Sequence, residues 1–163
     1  MFGKAKDTAR DERGQNLLEF AVVVLLLLLV FAGIADLGRA FYTYMAIANA
    51  AREGVRYYSR LPCTTDSAQR SELYDAVVDA TIAEGAANGI DLTGGVTLEP
   101  DPRSEGCQEA GQPVRVTAVY TFQSMLGAMP RFGAGNYSLG QLTLSHTATM
   151  VNFGTDAPAT PTP

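Results

Sequence analysis

His146 is the only histidine in 163 residues, and Cys63 and Cys107 are the only cysteines. One imidazole and two distant thiols do not supply the ligand spacing of a structural zinc site, and no catalytic set stands out around them. His146 alternates with polar neighbours so that it falls on the apolar face of a strand, where a hydrogen-bonded core histidine is the simpler reading than a catalytic one. Gly133-Ala134-Gly135 has the start of a dinucleotide fingerprint, but the preceding strand, following helix and later acid of a βαβ unit are missing, so it reads as a turn. The chain is therefore not expected to be an enzyme, and no metal, cofactor or small-molecule substrate is expected. The side chain in a chemically telling place is Glu19, a carboxylate within a hydrophobic stretch that continues to Ala35. Such an acid costs ~2.5 kcal/mol or more at mid-bilayer, and less near the interface, so it implies a partner.

The element that positions Glu19 is a 19-residue run, Leu17 to Ala35, interrupted by Glu19 alone. As a helix it covers ~28 Å, close to the ~30 Å hydrocarbon core of a bilayer. Residues 1–14 carry a net charge of +1 and the remainder −6, which orients one span with its N-terminus inside. Both lysines lie in the first six residues, and no later basic run tracks a nucleic-acid backbone, so nucleic acid is not an expected partner. A secretory signal peptide cut after Ala35, with Gly33-Ile34-Ala35 as the small-residue site, is the rival reading. It requires an apolar segment longer than the usual one and gives Glu19 no role.

Beyond Asp36, residues Leu37, Phe41, Tyr44, Ala48, Ala51, Val55 and Tyr58 form a seam of alternating four- and three-residue steps, so the helix continues out of the membrane. Asp36 with Arg39 and Glu53 with Arg56 are i, i+3 pairs that support it in water. The seam has two open readings: the face on which the C-terminal domain packs, or, in its proximal half, a surface for a neighbouring subunit. The small residues Ala46, Ala48, Ala50, Ala51 and Gly54 allow close helix approach. Leu61-Pro62 stops the helix. A second helix is predicted from Ala68 to Ala87, started by Asp66 or Ser67, ended by Asn88-Gly89, and burying Leu73, Val77, Ala80 and Ile82.

Gly94-Gly95 opens a short strand, Val96 to Leu98, and two period-2 strands follow, Val114 to Phe122 and Leu142 to Met150. The predicted fold class is α+β: a long, pilin-like N-terminal transmembrane and stalk helix, then a small domain of one helix packed on an antiparallel sheet of about three strands. The corresponding divisions are a cytoplasmic leader (1–14), the helix (15–60, span about 17–35 and stalk 36–60), the domain (61–153) and a disordered tail (154–163). Residues 123–139 are more apolar than an idle loop needs, which fits either a short core-completing helix or a contact with a partner or membrane surface. If the domain lies in an oxidising compartment, Cys63 and Cys107 pair and close a loop of about 45 residues, worth ~4 kcal/mol in the chain-entropy model; two free thiols are the alternative.

Gly14-Gln-Asn-Leu-Leu-Glu19-Phe20, the apolar run, Asp36-Leu-Gly-Arg39-Ala-Phe41-Tyr and Asn49-Ala-Ala-Arg52-Glu53-Gly54-Val-Arg56 together resemble the N-terminal region of TadE-like proteins. These are pilin-like components of bacterial tight-adherence (Tad/Flp) pilus systems. The resemblance implies a prepilin peptidase that cuts after Gly14 and leaves Gln15 as the mature N-terminus, with Glu19 at position five. Glu19 then lies ~6 Å along the axis from the new amine, and a neighbour staggered by that distance can offer its ammonium, fixing register between subunits. Many relatives carry a proline in the apolar segment; Val22 to Val30 has none, so no kink is expected. The implied role is that of a minor pseudopilin in the inner membrane, or in the extracellular pilus, with the C-terminal domain outside. Other pilin-like subunits and Tad assembly-platform proteins are the implied partners. The alternative is a membrane-tethered binding module that never enters a filament, and a hydrolase released after Ala35 is a third.

Overall fold

The computed structural model describes residues 8–106, 109–125 and 140–154, with side chains from Gly14 onward. One helix, α1 (Thr8–Tyr58), runs through the apolar segment and the stalk without a break. No proline falls between these bounds to remove a backbone donor, and the 51 residues extend ~76 Å. The helix starts seven residues before the expected Gln15. It stops where expected: the amides of Arg60 and Leu61 bond the Tyr57 and Tyr58 carbonyls at 3.2 and 3.1 Å, and Pro62 follows.

The second helix, α2 (Ser67–Ala87), is bounded by local chemistry. The Asp66 carboxylate accepts from the Ala68 amide at 3.0 Å, which satisfies one of the orphan donors of the first turn. At the other end Gly89 takes φ +74°, and the amides of Gly89 and Ile90 bond the carbonyls of Ala86 and Gly85, both at 2.9 Å. This is a Schellman closure, and Gly89 is where it needs the left-handed conformation. The buried line of α2 is Val77, Thr81 and Gly85. Leu73, Ala80 and Ile82, expected in the interior, are only half-buried. The small residues take the interior because α1 passes so close: a Cβ on Gly54 would overlap Thr81 Oγ1 and lie 3.1 Å from Val116 Cγ1.

Three antiparallel strands, β1 (Val96–Glu99), β2 (Pro113–Gln123) and β3 (Gln141–Val151), form a sheet in the order β1-β2-β3. Leu98 pairs with Val116, Val116 with Ala148, and Phe122 with Leu142. Val114, Val116, Ala118 and Phe122 turn inward along β2, as their alternation requires. The first three pack with Ile47, Ala50, Ala51, Val55 and Tyr58 of α1, Val77 of α2, and Ile90 and Leu92 of the turn between α2 and β1. The fold is therefore the expected long apolar helix followed by an α+β unit of one helix and a three-stranded sheet. The short helix considered for 123–139 falls largely outside the described residues. So do Gly133 to Gly135, Cys107, and all of the tail after Gly154.

Candidate functional site

Gly14 and Gln15 lie inside α1, about two turns from its start at Thr8. Both are exposed, and nothing stands within 4 Å of where a Gly14 side chain would project. Glu19 is exposed among Leu17, Leu18 and Phe20. It forms no hydrogen bond or ion pair with another described residue of the chain. Among the described residues α1 is the one helix long and apolar enough to cross a membrane.

The seam divides into two halves. Ala48, Ala51, Val55 and Tyr58 are buried against the domain, Tyr44 is half-covered, and Leu37 and Phe41 are 72% and 67% exposed. Toward the membrane the buried line instead runs through Thr43 to Asp36. Helix geometry explains the divergence. A repeat of 3.5 residues drifts ~20° per heptad on a straight helix of 3.6, so three heptads from Tyr58 back to Leu37 move the seam ~60° off the core face. Ala46, Ala48, Ala50, Ala51 and Gly54, the small residues that invite close approach, are all occupied by the chain's own domain.

Asp36 is the residue that sequence reasoning undervalued. Its carboxylate accepts from Ser124 Oγ at 2.5 Å, from the Met125 amide at 3.1 Å and from Arg39 at 3.3 Å. Only the Arg39 pair was legible, because the other two contacts cross 88 and 89 residues of chain. Arg39 also lies over the Phe122 ring, 5.4 Å from its centroid. Beside this clamp a groove of ≈ 690 Å³ opens between α1, the turn after α2 and the end of β2, lined by Arg39, Tyr42, Asn88 and Gln123 among others.

Higher on the stalk, His146 meets Tyr44: Nδ1 is 3.3 Å from the phenol oxygen, with the rings edge to face at 5.8 Å. The histidine is thus a half-buried hydrogen-bonding residue at the sheet–helix boundary. No group of three or more His, Cys, Asp or Glu among the described residues could hold a metal. Cys63 is disulfide-bonded, whereas Cys107 lies outside the described residues. Around the top of the stalk the charges are locally matched. Arg56 bonds Glu53 through both carboxylate oxygens and holds its pKa below the usual range. Arg103 does the same to Asp101 while lying over Tyr74, 3.4 Å from the ring centroid. Tyr58 donates to the Pro100 carbonyl at 2.7 Å, and burial, helped by the charges of Asp101 and Glu105, pushes its phenol up to about 12.

Comparison with curated proteins and with solved structures found no match. The helix is what carries a likeness: residues 14–56, from Gly14 through Glu19 and the apolar run to Arg56 of the stalk, match the family model described as TadE-like protein.

Proposed function

We propose that this chain is a minor pseudopilin of a Tad/Flp-type pilus, with a structural and assembly role in pilus biogenesis, adhesion and secretion. The TadE-like match associates it with Tad pilus systems, and the apolar helix fits a single-pass membrane anchor. In this reading a prepilin peptidase removes residues 1–14 on the cytoplasmic face. The protein then waits in the inner membrane, domain outside, until it joins or primes a filament with other pilin-like subunits and the assembly platform.

The observation that carries the reading is Glu19. It is an exposed carboxylate in an apolar helix that finds no described partner in its own chain, so the compensating charge has to come from elsewhere. Cleavage after Gly14 creates such a charge on a neighbour. Four residues of helix separate Gln15 from Glu19, ~6 Å along the axis and nearly in line, so one small stagger aligns amine and acid. The accessibility of Gly14 suits a processing site, although the peptidase must unwind a helix that begins at Thr8. A disulfide between Cys63 and Cys107 would staple the domain in an oxidising compartment.

N-terminal mass mapping of the protein from cells carrying the peptidase tests this directly. Gln15 is the expected first residue, and an intact Met1 in assembled material would sink the reading. Glu19→Ala is expected to leave export and anchoring intact while co-purification with other pilins falls. Unchanged co-purification would favour a tethered module that never assembles.

A further inference from the structure

The sheet runs along the stalk like a second rail, and the register of the two sets the height of its lower edge. Val116 packs at Gly54, and the Ser124-Met125 end of β2 reaches Asp36. Eighteen residues of helix span ~27 Å and eight of strand ~26 Å, so β2 descends α1 with little tilt. β3 climbs in the same way, from the Tyr44–His146 contact to the bond from the Phe153 amide to the Ser59 carbonyl at 2.9 Å. That is ~22 Å of helix against ~23 Å of strand. Leu142 pairs with Phe122, two residues up from Ser124, so it stands ~7 Å above the level of Asp36, near that of Arg39 to Phe41.

The apolar run of α1 ends at the Asp36 level. Met125 stands there 60% exposed, and Leu142 is 53% exposed although it alternates onto the face that Leu144, Ala148 and Met150 turn toward the helix. Leu37 and Phe41 are uncovered on α1 just above. Tyr42 and Arg39 are at the same height, an amphipathic ring and a cation of the kinds that settle among lipid headgroups. A soluble domain rarely gathers large apolar side chains on its surface in this way. We propose that the lower edge of the domain, formed by Met125, Leu142, Leu37 and Phe41, rests in the interfacial layer of the bilayer leaflet on the domain's side. The domain is then seated on lipid at a second place besides the span. Lipid is the occupant because the patch is continuous with the membrane-facing surface of α1 and sits at its exit. The inference rests on reading α1 as the membrane anchor.

The chain has no tryptophan, so single substitutions provide unique fluorescent probes in the full-length protein. Leu27→Trp, Met125→Trp, Leu142→Trp and Val151→Trp would be placed one chain per phosphatidylcholine nanodisc, with bromines set either high or deep in the acyl chains. Val151 is exposed and nine residues up β3 from Leu142, ~30 Å away, and serves as the dry-side control. The expected pattern is loss of Leu27→Trp emission mainly to deep bromines, loss of Met125→Trp and Leu142→Trp emission mainly to high bromines, and no loss at Val151→Trp. Quenching of Leu27→Trp alone overturns the seated domain and leaves the anchor standing. No quenching at Leu27→Trp overturns both. Shielding of Met125→Trp and Leu142→Trp only in discs loaded with two chains assigns the patch to a second copy and overturns the lipid assignment.

Discussion

Replacing Gly54 with alanine tests the closest crossing in the domain. The new Cβ would overlap Thr81 Oγ1 and stand 3.1 Å from Val116 Cγ1 and 3.3 Å from Thr81 Cβ, all short of the 3.4 Å at which ordinary contact begins. The latter two contacts relax by a few tenths of an ångström. Thr81 Oγ1 cannot move so easily, because Thr81 is fully buried and its hydroxyl donates to the Val77 carbonyl at 2.8 Å. Overpacking costs ~1–3 kcal/mol, and this site falls at the upper end, ~3, because the Thr81 overlap cannot relax, while the better helix propensity of alanine returns ~1. A net loss of ~2 kcal/mol follows, equivalent to ~30-fold faster exchange of the protected α2 amides. Thr81→Ala removes the obstructing atom, so Gly54→Ala introduced into that background is expected to cost less than ~1 kcal/mol, a coupling of at least ~1 kcal/mol between contacting residues. Hydrogen exchange of the four full-length proteins in detergent micelles measures this cycle. Equal effects of Gly54→Ala in both backgrounds would refute the close packing of α1 on α2 at this point.

Asp36→Ala removes the acceptor of the Met125 amide and the Ser124 hydroxyl. Exchange at Met125 is expected to rise about 10- to 100-fold, the equivalent of ~1–3 kcal/mol for a lost charge-assisted bond, while amides near Val55 stay protected; unchanged exchange at Met125 would show that Asp36 does not hold the strand end. Tyr58 gives a pH dependence with a defined sign. Its folded-state pKa of about 12 lies above the ordinary 10, so its contribution is fully present below pH 10 and is lost as pH rises toward 12. Absorbance titration of the phenolates should find one tyrosine ionising near 12 in the wild type and missing in Tyr58→Phe.

Features written in adjacent residues were legible before the fold was known. Asp66 marks the start of α2, Asn88-Gly89 its end, and the alternation at Val114 to Phe122 and at Leu142 to Met150 marks two strands that do pair antiparallel. What escaped depends on partners far away in the chain. The buried line through Asp36 and Thr43 is polar, so a hydrophobic seam cannot reveal it, and the seam followed Leu37 and Phe41 outward instead. Thr81 and Gly85 displace the larger Leu73 and Ile82 from the centre of α2 because α1 comes so near, a constraint invisible within α2 itself. Glu19 was the clearest signal of all, since a charge in an apolar run conflicts with its neighbours on any reading.

The bare surface of the span limits how the protein can travel. Between Leu17 and Ile34, fourteen large apolar side chains lie open along α1, none of them covered by the chain's own domain. At ~1.5 kcal/mol or more for each side chain taken into water, passage of this helix through an aqueous phase would cost on the order of 20 kcal/mol. No thermal fluctuation supplies that on a biological timescale. The helix can exchange one apolar environment only for another, side by side and without an intervening wet state. For the filament entry proposed above, departure from lipid and arrival against a neighbouring helix would then be a single event, with the two surfaces in contact throughout.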